Sequence, residues 1–296
     1  MSKSNANGRA LEAKLVDVIL KKNERIQMNK TTESDQIRDL VHFYALSNQQ
    51  QEEFSDFSER YAQELSVPDI KSIERLKDSD AKKGDVTDIR IVYLDKSVRN
   101  ISLKHNHDAC KHQRPAALIK NQLGILDKAL DKQYRIELSL IYDNFKSQVL
   151  TCDQENGVYL FRLVKARDPN LITNLYSDVC NLVKKYLLEH ADEESIRKYF
   201  KFLVGNTVFE KVSVYPKTRT IVIKDFSSVT DATAVVDASI HPNNGHLIVQ
   251  FNNDFILNMR LHTASSKFSL NTALSLKFDS VVDMDNAPVP QRSISF

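Results

Sequence analysis

Apolar residues recur along this chain with two different periods. In 9–22, in a segment capped by Thr32, and in 51–65, apolar side chains return every three or four positions, which predicts amphipathic helices. The same spacing predicts helices over 172–189 and 193–202. After Asn206, branched residues alternate between turn-forming stretches, which predicts strands over 208–214, 220–223, 234–240, 247–251 and 256–261. The order of these elements predicts an α+β protein.

The stretch 84–115 separates the helical patterns and reads GDVTDIRIVYLDKSVRNISLKHNHDACKHQRP. Its runs 88–93 and 98–103 are rich in branched residues and flank a polar turn at 95–97. This arrangement predicts two paired strands, a β-hairpin. The charged stretch 71–83 before it is predicted to be a loop.

The predicted hairpin carries an acid and a base at one end. Asp88 opens the first strand, with Asp85 three residues earlier, and the second strand ends on Ser102 and Lys104. Because side chains alternate along a strand, Ser102 and Lys104 share a face. Metal-dependent cleavage of a phosphodiester needs this combination, a carboxylate that binds a hard divalent cation and an ammonium that meets developing charge.

Composition narrows the choice of function classes. The chain has 296 residues with a net charge of only +2, so a nucleic-acid surface would require its cations to be gathered on one side. We find no apolar run long enough for a membrane span and no signal-peptide pattern at the start. The three cysteines show no metal-like spacing, which favours reduced thiols in a cytoplasmic protein.

The segment 105–114, HNHDACKHQR, is dense in imidazole and positive charge. It is predicted to open a helix that continues through 116–119. Its first three residues spell the name of the ββα-metal nuclease motif, but in that motif the residues are dispersed, so the match fails. No Cys-x-x-Cys or His-x-x-x-His cluster predicts a zinc site.

The run ISLKHNHDACKHQRP, preceded by GDVTDIRI, resembles the catalytic region of HaeIII-type type II restriction endonucleases of the PD-(D/E)xK nuclease superfamily. The opening SKSNANGRALE is similar to that of the family. The later stretches MRLHTASSK at 259–267 and LKFD at 276–279 resemble a tail motif of the group. These similar stretches occur in the expected order and span nearly the whole chain.

The resemblance implies a fold and an activity. The fold would be a PD-(D/E)xK core, a central mixed sheet flanked by helices, with additional helices and a strand-rich C-terminal half. Residues 1–150 would hold the helical region and catalytic hairpin, and 151–296 the remainder of one catalytic unit. The activity would be Mg²⁺-dependent, site-specific cleavage of double-stranded DNA giving 5′-phosphate ends, with GGCC as the implied target. A palindromic target implies a homodimer, with a monomer that acts twice as the alternative. A cognate DNA methyltransferase would act on the same site without needing to bind.

The resemblance also assigns catalytic roles. Asp88 would hold the metal, with Asp85 as the alternative, and Lys104 would position the attacking water. Ser102 occupies a position that is usually acidic or Gln in the superfamily, so Glu12 is the candidate for the missing charge. The backbone carbonyl of Leu103 would complete the metal shell. A solvated Glu12 in a first helical turn is the alternative interpretation.

A larger set of residues is expected to contact DNA. After the hairpin these residues are His105, Asn106, His107, Lys111, His112 and Arg114, near the scissile phosphate. In the tail they are Arg260, His262, Ser265, Ser266 and Lys267. Arg260 can read guanine, but phosphate contact is an equal alternative. A different class of function also stays open, that of a DNA-binding or assembly protein with a nuclease-like fold and no activity.

Overall fold

Two structural units, each built from separate stretches of sequence, make up the chain. The first contains Met1–Asp108, Asn206–Val229 and Val289–Phe296, and the second contains Ala109–Gly205 and Thr230–Pro288. The computed structural model describes residues 3–76, 85–106, 112–205, 208–241, 245–283 and 289–296. Residue 150, the predicted division point, lies inside the second unit.

The first unit combines helices with a mixed sheet. Its helices are α1 (Lys3–Lys22), α2 (Lys30–Tyr44) and α3 (Asn48–Ala62). Its strands, numbered in chain order, are β1 (Gln27–Met28), β2 (Ile70–Arg75), β3 (Ile89–Tyr93), β4 (Val98–His105), β7 (Glu210–Tyr215), β8 (Thr220–Asp225) and β14 (Gln291–Ser295). They form a seven-stranded sheet in the order β1-β2-β3-β4-β7-β8-β14, in which β1–β2 and β4–β7 are parallel and the other neighbours antiparallel.

The core of this unit lies between the sheet and the helices. Ile101 and Leu103 of β4 are buried there among residues of α1 and α3. Phe54, Phe57 and Tyr61 of α3 are 0% exposed, so the apolar face of the helix predicted over 51–65 lies against the core. Burying side chains of this kind stabilises the fold by roughly 1.5–3 kcal/mol each.

The starts of α1 and α2 differ from the predicted ones. Asn29, not Thr32, caps α2, because the Asn29 side chain accepts the backbone N–H of Thr32 at 2.8 Å. Helix α1 begins at Lys3, six residues before the predicted start. Glu12 therefore lies in the middle of α1, and its interpretation as a first-turn residue is wrong.

The second unit contains the remaining helices and two antiparallel sheets. Its helices are α4 (Ile119–Gln122), α5 (Lys128–Ser147), α6 (Phe161–Arg167), α7 (Pro169–Glu189) and α8 (Glu193–Val204). One sheet has the order β13-β11-β10-β9, with β9 (Val235–His241), β10 (His246–Phe251), β11 (Ile256–Thr263) and β13 (Leu276–Val282). The other has the order β12-β6-β5, with β5 (Gln154–Glu155), β6 (Val158–Leu160) and β12 (Lys267–Phe268).

The α+β class with a mixed central sheet and helices is confirmed, whereas two local predictions are wrong. Residues 71–75 of the predicted loop belong to strand β2, in which Ile70 and Ile73 are buried. The predicted helix around 105–119 is replaced, in its described part, by the end of β4, an isolated bridge at Gln113 and the short helix α4. Within the described residues, no helix has both the length and the apolar character that a membrane span needs.

Candidate active site

The hairpin strands β3 and β4 separate at Asp88. The regular pairing of β3 with β4 ends at the pair Ile89–Ile101, and Asp88 is the residue just before it. Its backbone N–H donates to the Ile101 carbonyl at 2.8 Å, and its carbonyl accepts the Leu76 N–H at 3.0 Å. Hydrogen bonds to both neighbouring strands thus fix the backbone of Asp88 where the β3–β4 pairing stops.

The carboxylate of Asp88 reaches β4 beyond that point. Its Oδ2 accepts the backbone N–H of Leu103 at 2.7 Å, the Ser102 hydroxyl at 3.3 Å and the Lys104 ammonium at 3.3 Å. The structure therefore brings together the acid, the hydroxyl and the lysine that the sequence predicted to be neighbours. These three contacts all use Oδ2.

Alternation along β4 determines which side chains are available for chemistry. Ile101 and Leu103 point into the core, so Ser102 and Lys104 lie on the opposite face. The Lys104 side chain is 25% exposed and that of Asp88 is 24% exposed. The pair is therefore partly shielded from water, which strengthens its electrostatic attraction.

Glu12 lies in the electrostatic field of this pair. Burial raises the pKa of Glu12 to about 7, and the negative charge of Asp88 acts in the same direction. The positive charges of Arg75 and Lys104 oppose that rise. The charges of the hairpin site thus act on a carboxylate of α1, whose side chain contacts an arginine.

That partner, Arg75 at the end of β2, was missed by the sequence analysis. Its Nη2 donates to Glu12 Oε2 at 3.0 Å and to Asp39 Oδ2 at 2.9 Å, and its Nη1 donates to the Asp35 carbonyl at 3.2 Å. Arg75 is only 6% exposed and Asp39 1%. Buried charges require such pairing, because an isolated one would pay a large desolvation cost.

Replacing Arg75 with Met is expected to destabilise the fold by about 1–3 kcal/mol at neutral pH, because Asp39 would keep only its contacts with the more exposed Arg38 and Arg9. Chemical denaturation would measure the loss. Arg135→Met is the matched control, since Arg135 is 45% exposed and forms an i,i+4 pair with Asp131 that is worth no more than about 0.5 kcal/mol. Equal losses in the two variants would contradict a structural role for the Arg75 network.

The structure separates the two candidate metal carboxylates. Asp85 Oδ2 accepts the Arg90 guanidinium at 2.9 Å, and its Oδ1 accepts the backbone N–H of Thr87 at 3.0 Å. These hydrogen bonds and the charge of Arg90 outweigh burial and lower the pKa of Asp85. Asp85 therefore contacts Arg90 and Thr87, whereas Asp88 contacts Lys104.

The oxygen atoms at this site suit a magnesium ion. Mg²⁺ commonly uses one or two carboxylates, with waters and substrate phosphate supplying its other ligands. Asp88 and Glu12 provide two carboxylates. The Leu103 carbonyl lies on the same strand edge as the Leu103 N–H that contacts Asp88. Among the described residues, no group of three or more His, Cys, Asp or Glu side chains could hold a metal ion. A magnesium site built from one or two carboxylates does not need such a group.

The residues after the hairpin that were expected to contact DNA are only partly described, since His107 and Lys111 lie outside the described residues. The ring of His105 packs edge-on against Phe54, with centroids 5.1 Å apart, and burial lowers its pKa. The Asn106 amide contacts the His105 ring at 3.1 Å. His105 thus packs against a core aromatic side chain.

The other expected DNA contacts lie in the second unit. His112, Arg260 and His262 gather around Asp279 of β13, and Arg114 is exposed nearby in sequence. Ser265, Ser266 and Lys267 follow β11, where Ser265 Oγ accepts the Lys267 N–H at 3.2 Å. Leu276 and Phe278, in the stretch that resembles the tail motif, are buried. Lys277 and Asp279, which alternate with them, were missed as part of the charged cluster.

Comparisons with known proteins add little to this geometry. No protein family matches the chain, and no curated protein matches it. Among solved structures, the chain is similar to the restriction endonuclease MspI in complex with its cognate DNA. The similarity has a TM-score of 0.24 and 15% sequence identity, and covers 89% of this chain and 98% of the MspI chain. A TM-score of this size does not establish a common fold.

Proposed function

We propose that this protein is a magnesium-dependent, site-specific endonuclease of the type II restriction class that cleaves double-stranded DNA. The observation that carries the proposal is the contact of Asp88 with Ser102, Leu103 and Lys104 at the point where β3 and β4 separate. A carboxylate and an ammonium held together beside a second carboxylate suit hydrolysis of a phosphodiester.

Each residue has a distinct role in this proposal. Asp88 and Glu12 would hold the metal, with the Leu103 carbonyl as a neutral ligand. Ser102 donates to Asp88 and so orients its carboxylate, which explains how a hydroxyl serves where an acidic residue is usual in the superfamily. Lys104 would hold a positive charge beside the attacked phosphate and position the attacking water. Magnesium, when bound, supplies charge neutralisation and a more acidic water.

Lys104→Met is expected to lower the cleavage rate by about two to three orders of magnitude, because one charge that stabilises the transition state is lost. DNA binding should lose at most one phosphate contact, so its salt slope should change by no more than about 0.9. Single-turnover cleavage and binding titrations would measure the two effects. Lys71→Met, at an exposed position of β2, is the control and should cut normally. A Lys104→Met protein that also cuts normally would exclude Lys104 from catalysis.

Plasmid digestion with magnesium, with and without a chelator, tests the proposed function. Discrete bands that appear only with free magnesium are the expected result. Sequencing of the ends would show 5′-phosphates and define the target, for which the resemblance suggests GGCC. Tight DNA binding without any cutting would favour the alternative, a DNA-binding or assembly protein without activity.

A palindromic target would further imply a two-fold homodimer on DNA, so that equivalent sites act on both strands. Sedimentation of the protein with and without a target duplex would measure this. A cognate methyltransferase acting on the same sequence would block cleavage of methylated DNA. That protection needs no contact between the two enzymes.

A further inference from the structure

A single carboxylate, Asp279, is surrounded by four basic side chains in the second unit. Its Oδ1 lies 2.7 Å from His112 Nδ1 and 3.3 Å from Lys277 Nζ. Its Oδ2 lies 2.6 Å from His262 Nε2 and 3.5 Å from Arg260 Nη2. We call these five residues the Asp279 cluster.

Strand register explains why these residues meet. On neighbouring strands β11 and β13, Arg260 pairs with Asp279 and His262 pairs with Lys277, so all four point to one face of the sheet. Leu261 and Phe278, which lie between them, and Met259, which precedes Arg260, are buried on the other face. His112 is brought to the same face by the bridge between Gln113 and Phe278.

The cluster carries more positive than negative charge at every protonation state of its histidines. Arg260 and Lys277 outnumber the single carboxylate by one charge, and protonation of His112 and His262 raises the net charge from +1 to +3. Arg260 is 58% exposed, so a ligand can reach its side chain. Two further titratable groups adjoin Arg260: His246, its register partner on β10, and Tyr176 of α7.

The two histidines are placed to respond to an added negative charge. His262 Nδ1 lies 3.0 Å from the Thr263 carbonyl, and its Nε2 lies 2.6 Å from Asp279 Oδ2, so both ring nitrogens lie next to oxygen atoms. Burial lowers the pKa of His112, with the charge of Lys277 acting in the same direction and that of Asp279 against it. An anion bound at the cluster would favour the protonated form of both rings.

We propose that the Asp279 cluster is a phosphate-binding site for the DNA backbone, and that His112 and His262 take up protons when DNA binds. The inference rests on the proposed function, which supplies DNA as the ligand. Asp279 would hold the basic side chains in place before binding, and the excess positive charge would attract the phosphodiester. Because proton uptake and binding are linked, DNA affinity must rise as pH falls through the histidine range.

Binding of a fluorescent target duplex, measured by anisotropy with a chelator present so that no cleavage occurs, tests the proposal. The affinity of the natural protein should fall by up to about tenfold per pH unit for each proton taken up, between about pH 6 and 7.5. The double variant His112→Gln/His262→Gln should bind with a much flatter pH profile. His190→Gln, at a histidine beside Tyr186 and Glu189, is the matched control and should keep the natural profile.

A second variant tests the cluster without removing its histidines. Asp279→Asn keeps a side-chain oxygen that can accept from the basic side chains but removes a negative charge beside the phosphate, so it should tighten DNA binding roughly threefold to tenfold at high pH. Unchanged or weaker binding by a folded Asp279→Asn protein, or an unchanged pH profile in the double histidine variant, would overturn the proposal.

Inorganic phosphate, titrated as a competitor, distinguishes the source of the ligand. If the cluster binds the DNA backbone, inorganic phosphate should displace DNA only at concentrations at which added salt alone displaces it equally. Displacement at far lower concentrations would mean that the cluster selects a small phosphate, and would overturn the assignment to DNA. Plasmid cutting is scored separately. If the protein cuts DNA but its binding is not linked to protons, this inference is wrong and the proposed nuclease activity stands. If binding is linked to protons but the protein does not cut, only the proposed nuclease activity is wrong.

Discussion

Asp88→Asn is expected to abolish DNA cleavage while leaving DNA binding intact. Loss of the metal-holding charge should lower the rate roughly a thousandfold or more, which corresponds to about 4 kcal/mol of transition-state stabilisation. The amide keeps an oxygen that can accept the Leu103 N–H, so the end of the hairpin should stay in place. Binding should be as tight as in the natural protein or tighter, because a negative charge near the phosphate is gone. Single-turnover cleavage and anisotropy would measure both effects.

Two control variants test whether the loss of cleavage is specific to Asp88. Asp95→Asn changes the same hairpin at its other end, where Asp95 accepts the Ser97 N–H at 2.8 Å, and should leave the cleavage rate unchanged. Asp85→Asn loosens the contact with Arg90 and should alter stability more than rate. If a folded Asp85→Asn protein were inactive while Asp88→Asn cut normally, the choice between the two carboxylates would be wrong.

Glu12→Gln is expected to change two properties in opposite directions. Cleavage should fall by orders of magnitude, since the site would lose one of its two metal-binding carboxylates. Stability of the metal-free protein should rise at neutral and higher pH by about 1–3 kcal/mol, because the charged form of Glu12 is disfavoured in the fold. A surface glutamate would show neither effect.

The pH dependence of that stability follows from the raised pKa. The folded-state pKa of Glu12 is about 7, against 4.5 for an ordinary glutamate. The stabilising contribution of Glu12 to the free energy of unfolding is therefore fully present below pH 4.5 and is lost as pH rises to 7. Denaturation with a chelator across this range should show the loss in the natural protein and not in Glu12→Gln. Glu24→Gln, at an exposed position after α1, should keep the natural pH profile. An equal pH dependence in both variants would contradict the burial of Glu12.

The sequence by itself determined the local elements. Periodic apolar residues located α7, α8 and the strands β3, β4 and β7 to β11, because a one-faced element must repeat its apolar side chains at its own period. The same reasoning placed Ser102 and Lys104 on one face of β4 and the acid Asp88 at the start of β3. Those inferences needed only neighbours along the chain.

Tertiary structure alone decided which distant groups meet. Arg75 lies in strand β2, which was predicted to be a loop because its sequence is charged. Its side chain contacts Glu12, which is 63 residues away in sequence. Strand β7 pairs with β4 although more than a hundred residues separate them in sequence. The periodicity of apolar residues within each strand does not predict this pairing. His112 and the pairs of β11 and β13 converge on Asp279 in the same way. A period reports the face on which a residue lies, whereas the partner on that face depends on how separate elements pack.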